Sequence, residues 1–249
     1  MTDQPSLSGQ VALVTGGAMR IGRATALALA SAGAGVAIHY SRSAQAAEKL
    51  ADDLRDRGSD VWTSQADFES QDETATLVPR VREMAGRLDI LINNASLFPT
   101  DTIADANLEQ VIGNMTVNTW APFSLGRSFS QQTESGVIIN FLDTRIAGYD
   151  FQHLSYILSK NTLALLTRMM ALEFAPGVRV NAIAPGLILP PPGQDQSYLR
   201  AQADTVPLKR HGGTQDIADT VLFLIRSQFI TGQTVYVDGG RHLLERGSG

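Results

Sequence analysis

Apolar runs too short to be helices recur along the chain, separated by longer amphipathic stretches. Val11–Val14, Gly35–His39, Val61–Thr63, Leu88–Ile92, the run opening at Val137, Arg179–Ala184 and Thr234–Val237 are rich in hydrophobic residues with little alternation. Such runs predict strands covered on both faces, because a strand with one wet face would alternate. Between them lie predicted helices: the Ala/Leu-rich segment ended by Gly33, the charged Ala44–Arg57, the long Leu108–Gln131, the segment carrying Tyr156 and Lys160, and Thr214–Arg226. Strands and helices alternate throughout. The pattern predicts the α/β class: one domain over residues 1–249, a Rossmann-like doubly wound parallel sheet of about seven strands with helices on both faces. Pro190, Pro191 and Pro192 exclude helix or central strand late in the chain. Residues 186–213 are therefore expected to form a substrate loop, with a plain connector as the alternative.

Composition narrows the function classes. Hydrophobic residues make up 43% and charged residues 18% of 249, the profile of an ordinary globular protein. A net charge of −5 gives no electrostatic reason to expect nucleic acid or an anionic membrane as partner. The absence of Cys excludes disulfides, thiolate metal sites and a Cys nucleophile. His39, His153, His211 and His242 form no cluster with acids at recognisable ligand spacing, so no metal is expected and each His reads as structural or exposed. No run reaches the roughly 18 apolar residues of a spanning helix. The opening MTDQPSLSGQ lacks the basic and apolar parts of a secretory signal. A cytoplasmic enzyme with a small-molecule substrate is the expectation.

Candidate chemistry clusters where strands end. TGGAMRIG, Thr15 to Gly22, lies between the first strand and first helix. Gly16, Arg20, Ile21 and Gly22 would set a tight turn at a helix N-terminus, whose free N–H groups and dipole suit a diphosphate. An ordinary βα turn has the same ingredients. The second strand ends in His39, Tyr40, Ser41, Arg42 and Ser43, with no acid to hold a ribose 2′-OH. A cation and hydroxyls there suit a 2′-phosphate and favour NADPH, although Ser43 could simply cap the next helix. Asp67, followed by Phe68, could accept a hydrogen bond from an adenine amino group or cap a helix. Asn93, Asn94, Ala95 and Ser96 suit a turn at the fourth strand's end. Phe98 just beyond them is a packing anchor or a flat surface for a ring ligand. Asn118, within the long helix, is either exposed or buried with its hydrogen bonds met, by a bound water for instance.

Tyr156 and Lys160 stand four apart and share a helix face. A phenol is a weak acid that ordinarily ionises only near pH ~10. A cation held beside it would favour the phenolate and tune it for proton transfer. Asp143, at the end of the fifth strand, joins them as a candidate third member of one reaction centre.

Together these motifs resemble the short-chain dehydrogenase/reductase family: TGGAMRIG, NNAS at 93–96, the YxxxK of Tyr156 and Lys160, the PG turn of Pro185 and Gly186, and the closing ITGQTVYVDGG, in family order across nearly the whole chain. The resemblance implies that Tyr156 is the general acid. It implies that Lys160 binds the nicotinamide ribose and lowers the Tyr156 pKa, and that Asn118 completes a proton relay. It places Asp67 and Phe68 at the adenine, Asn93 at the adenosine ribose, and Ala95, Pro185 and Gly186 at further cofactor positions. Two departures are informative. Arg20 replaces a glycine of the usual turn, and Asp143 replaces the usual catalytic Ser. With HYSRS and NNASLF, these changes are similar to pteridine reductases and bacterial dihydromonapterin/dihydrofolate reductases. That likeness implies that Arg20 reaches cofactor phosphate and pterin, Ser96 contacts the pterin, and Phe98 stacks it against the nicotinamide. Asp143 and Tyr156 would flank the ring, with Leu187 completing the pocket.

The Ser-to-Asp change has a chemical reason. A hydroxyl can donate to a ketone oxygen, whereas an ionised carboxylate only accepts and would repel a developing alkoxide. A pterin presents ring N–H and amino donors that a carboxylate suits. A one-residue shift would instead put Thr144 in the Ser role. The resulting expectation is an NADPH-dependent reductase converting a dihydropterin, dihydromonapterin or dihydrofolate to its tetrahydro form, with the homotetramer that the family resemblance implies. The alternatives are a carbonyl reductase of the same fold, acting on a 3-oxoacyl thioester, sugar or other alcohol, and a catalytically silent nucleotide-binding scaffold.

Overall fold

The structure is a computed structural model that describes residues 6–191 and 193–244. The ends of the expected domain, the start of the MTDQPSLSGQ segment and Pro192 of the proline break lie outside the described residues. The strands are β1 (Val11–Val14), β2 (Gly35–Tyr40), β3 (Val61–Gln65), β4 (Ile90–Asn93), β5 (Gly136–Phe141), β6 (Val178–Pro185) and β7 (Thr234–Val237). The helices are α1 (Arg20–Ser31), α2 (Ala44–Arg55), α3 (Gln71–Ala85), α4 (Leu108–Met115), α5 (Ala121–Ser130), α6 (Leu154–Glu173), α7 (Gln196–Gln202), α8 (Thr214–Arg226) and α9 (Arg241–Leu244). All seven strands form one parallel sheet in the order β3-β2-β1-β4-β5-β6-β7, as the alternating pattern predicts.

The strands are continuously apolar because helices cover both faces. Ala12 and Val14 of β1 join Val36, Ile38, Ile90 and Ile92 in a layer packed by α1, α2 and α8. Val11 and Leu13 join Leu91, Ile138 and Val180 in the opposite layer, with Leu77, Leu125 and Phe129 from α3 and α5. Each fully buried Leu, Ile or Phe contributes roughly 1.5–3 kcal/mol, and alternate residues of the same strand contribute to different layers. Strand order reverses between β1 and β4, where Val14 lies opposite Ile92. The carboxyl ends at such a reversal are the usual ligand position in sheets of this kind.

The structure departs from the expected elements in three places. Leu108–Gln131 is not one regular helix: a π turn, Thr116–Trp120, separates α4 from α5 and closes with the Ala121 N–H on the Thr116 carbonyl. Such insertions re-aim the residues within them, and here the turn holds Asn118. Residues 186–213 are partly helical. Asp195 starts α7 by accepting the Ser197 N–H at 2.8 Å, and Leu187, Leu199 and Val206 make a small core of their own. Helix α9 has no counterpart among the expected elements. Among the described residues no helix is long and apolar enough to cross a membrane.

Candidate active site

The turn after β1 is built by close backbone approach. Gly16 has φ +59°, and a Cβ on Gly22 would sit 2.1 Å from the Gly16 carbonyl oxygen. Only glycine fits at 22. Thr15 Oγ1 accepts the N–H groups of Asn94 and Ala95 at 2.9 and 3.0 Å, and the Asn94 amide donates to the carbonyls of Thr15 and Gly16. The NNAS turn is thus clamped to the glycine turn across the ends of β1 and β4. Arg20 opens α1 with φ +53°, a left-handed conformation that costs a non-glycine residue on the order of 1–3 kcal/mol. The family's usual turn has a glycine here, and the chain keeps a glycine-like backbone while adding a guanidinium. That guanidinium donates to the Pro190 carbonyl at 2.8 Å, tying the turn to the proline-rich loop.

Beyond β2, Arg42 is exposed and, among the described residues, has no ion-pair partner; the Ser43 hydroxyl makes no cap bond to α2. The capping alternative for Ser43 is not realised, and a cation with neighbouring hydroxyls remains open to an anion. Asp67 does not cap α3 either. Ser70 does, while Asp67 Oδ1 accepts the Glu69 N–H at 3.1 Å.

Asp143 and Tyr156 meet at the end of β5: the Tyr156 hydroxyl donates to Asp143 Oδ2 at 3.1 Å. Asp143 Oδ1 accepts the Arg145 N–H at 2.9 Å and starts a 3-10 turn, Thr144–Ala147. Thr144 faces away. It is 3% exposed, and its hydroxyl donates to Asp238 Oδ2 at 2.5 Å. The one-residue shift that would put Thr144 against Tyr156 is therefore not the arrangement found. Burial and the adjacent Asp143 carboxylate both hold the Tyr156 phenol well above its usual pKa. The charge that opposes this rise is that of Arg145, not of Lys160 as expected. Lys160 is 2% exposed, donates to the Phe141 carbonyl at 2.8 Å and lies 5.7 Å from the Tyr156 ring centre. Burial pushes its own pKa down to about 8.

Asn118 is buried and fully engaged. Its amide nitrogen lies 3.0–3.1 Å from the Leu97 carbonyl, Asn114 Oδ1 and Ser159 Oγ, and its oxygen accepts from the Leu97 N–H and the Ser96 hydroxyl at 2.7 and 3.1 Å. Ser159 in turn donates to the Tyr156 carbonyl at 2.6 Å. The side chain thus fastens the Ser96–Leu97 loop to the Tyr156 turn. Its side-chain hydrogen bonds go to Leu97, Ser96, Asn114 and Ser159 and none goes to the Tyr156 or Lys160 side chain. Phe98, 49% exposed, sits edge-on to Tyr156 with ring centres 4.6 Å apart. Its ring is also stacked with His153 at 4.1 Å.

Several residues expected to touch ligand also have side chains engaged within the protein. His39 is buried, stacked on Phe68 at 4.4 Å; its Nδ1 accepts the Gly16 N–H and its Nε2 faces the Ala66 carbonyl. Both nitrogens are used in the neutral form, and burial pushes its pKa down to about 4. Phe68 is buried beneath it. Asn93 is buried and donates to Asn140 Oδ1 at 2.8 Å, locking β4 to β5. The Leu187 side chain packs with Leu199 and Val206. Gly186 is obligatory because a Cβ would sit 2.5 Å from that of Asp238, and Pro185 ends β6 beside it. Ile21 packs partly buried against the first core layer.

Residue-by-residue reading missed Asn94 as the clamp and Asp238 as the anchor of Thr144. Burial opposes the Asp238 charge, but hydrogen bonds from Thr144 and His242 hold its carboxyl below the usual range. It also missed Arg145, Asp150 and His153. Among the described residues no three His, Cys, Asp or Glu side chains are grouped to hold a metal ion.

Comparison with known proteins matches the chain in sequence and fold. The family profile described as Enoyl-(Acyl carrier protein) reductase matches residues 16–242. The FolM alternative dihydrofolate reductase 1 of Brucella canis, solved complexed with NADP, superposes with a TM-score of 0.90 at 35% identity, covering 96% of each chain. Among sequence relatives, the putative ketoacyl reductase 2 of the granaticin polyketide synthase of Streptomyces violaceoruber is 34% identical over 98% of this chain and 99% of its own. The 3-oxoacyl-[acyl-carrier-protein] reductase FabG of Staphylococcus aureus (strain Mu50) is 33% identical over 93% of this chain and 98% of its own.

Proposed function

This chain belongs to the short-chain dehydrogenase/reductase family, and from that premise we propose that it is an NADPH-dependent reductase of a dihydropterin or of dihydrofolate. The observation that carries the reading is Asp143 against Tyr156, with Thr144 turned away to Asp238. The likeness to NADP-bound FolM structures supports it.

The residues fit the cofactor. Gly16 and Gly22 bring backbone close at the α1 N-terminus, a seat for a diphosphate. Arg42, with Ser41 and Ser43, offers a cation and hydroxyls to a 2′-phosphate, and Tyr40 lies at the same strand end. Asp67, just beyond β3, would accept a hydrogen bond from an adenine amino group. When bound, NADPH supplies the hydride.

The chain's own residues supply the seat and the proton. Arg20, Ser96 and Phe98 hold the flat ring. Asp143 accepts from its N–H and amino groups, as an ionised carboxylate can. Tyr156 stays a neutral phenol at pH 7, because burial and Asp143 disfavour the phenolate. It is a donor held on Asp143, ready to organise the proton delivered to nitrogen as carbon takes the hydride. Lys160 would hold the nicotinamide ribose. Ile112, Trp120, Leu158, Leu165 and Met169 are exposed apolar side chains along α4–α6; a homotetramer would cover such side chains, and light scattering on the purified protein would test for it.

A second reading, reduction of a 3-oxoacyl thioester, is favoured by the named activities of the sequence relatives. NADPH oxidation assayed with dihydrofolate, a dihydropterin and a β-ketoacyl thioester separates the two. Turnover of the dihydro substrates is expected. Turnover of the thioester alone would overturn the proposal.

A further inference from the structure

Arg145 leaves the 3-10 turn directly after Asp143, and its guanidinium carbon lies 5.0 Å from the centre of the Phe98 ring. It is held at one corner only. Nη1 lies 3.3 Å from Asp150 Oδ2, the same oxygen that takes His153 Nδ1 at 2.8 Å. Nη1 is buried yet makes no hydrogen bond, so the pair lacks the geometry of a structural fork. Among the described residues the guanidinium makes no side-chain hydrogen bond at all, although it carries five donors. A cation–π contact with Phe98 and the ion pair with Asp150 place the guanidinium. A cation parked beside a half-exposed aromatic ring, with its donors unspent, is placed to receive an acceptor from a molecule seated on that ring.

We propose that Arg145 reads an anionic group on the substrate's tail, so that the site favours a ring substrate carrying carboxylate or phosphate over one with a neutral tail. The proposal rests on the pterin-type reading above and deepens it. Asp150 sets the strength of the effect, because it partly neutralises Arg145 at 3.3 Å while sharing its oxygen with His153.

The test measures kcat and KM for wild type, Arg145→Ala, Arg145→Lys and Asp150→Asn. The substrates are dihydrofolate, a phosphorylated dihydropterin and a neutral-tailed dihydropterin. In Arg145→Ala the kcat/KM ratio of anionic to neutral substrate falls roughly tenfold, mainly through KM, as expected for loss of a charge-assisted contact. Arg145→Lys restores part of the ratio, and Asp150→Asn lowers KM for the anionic substrates. The arm that responds more strongly, carboxylate or phosphate, identifies the group read. Equal losses on all substrates would make Arg145 a support for Phe98 and Tyr156 and overturn the proposal. An unmoved ratio would overturn it too. If wild type reduces none of the rings, the functional reading fails and this inference with it; if wild type reduces them but the ratio holds, this inference alone fails.

Discussion

Thr144 and Asp238 stand 94 positions apart, and the hydrogen bond between them decides which residue faces the reaction centre. Asp238 follows β7 and receives the Thr144 hydroxyl together with the Gly240 and His242 N–H groups. With Thr144 committed there, the extended chain turns the preceding residue the other way, and Asp143 meets Tyr156. A carboxylate rather than a hydroxyl therefore stands beside the phenol.

Tyr156→Phe removes the proton donor and keeps the ring against Phe98. It is expected to lower kcat by about 10²–10⁴-fold with little change in substrate KM, the scale of general acid–base catalysis. Steady-state kinetics of the purified variant, with circular dichroism to show that the fold is kept, checks this.

Lys160 trades stability for its place in the site. Unfolded, its amine holds a proton to about 10.5; folded, only to about 8. Between those values stability rises with pH, and below them the burial of charge costs on the order of 3 kcal/mol. Lys160→Met is expected to abolish turnover while raising the stability of the cofactor-free protein at pH 7 by roughly 1–2 kcal/mol, net of the lost bond to Phe141. Thermal melts read the sign directly.

His39 makes an acid-labile support. The unfolded His takes a proton below about 6.5, the folded one only below about 4. Stability is present above pH 6.5 and is lost as pH falls through that window, by about 3 kcal/mol in all. His39→Asn keeps an acceptor for the Gly16 N–H and removes the titration. It should be less stable at pH 7 by about 1–3 kcal/mol and show a flatter loss between pH 6.5 and 4 in denaturant titrations.

The fold was legible from the chain because strands buried on both faces are continuously apolar and helices fill the gaps between them. The glycine turn, Tyr156 and Lys160 were legible for the same local reason: each sits at a fixed offset within one element. What the chain concealed lies in contacts between distant segments. Whether Asp143 or Thr144 faces inward depends on Asp238. Whether Asn118 is exposed depends on a π turn, which has no propensity signal of its own. His39, Phe68 and Asn93 stand at positions that suggest ligand contact, and only the folded chain shows the packing and hydrogen bonds they also make.

Arg42 is the test of cofactor choice. Arg42→Ala is expected to raise KM for NADPH roughly tenfold or more and leave KM for NADH nearly constant, because the lost contact is to the 2′-phosphate. Parallel titration with the two cofactors checks it; equal losses would point to disruption of the β2 end rather than phosphate recognition.

Asp143→Ser tests the central claim most directly. The measurement is the ratio of kcat/KM for a dihydropterin to that for a β-ketoacyl thioester, in wild type and variant under the same NADPH concentration. If Asp143 selects the ring substrate, the ratio falls by about a hundredfold or more, through lost ring reduction with any gain on the ketone adding to it. A variant that keeps the wild-type ratio would contradict the assignment of Asp143 as the residue that sets the substrate.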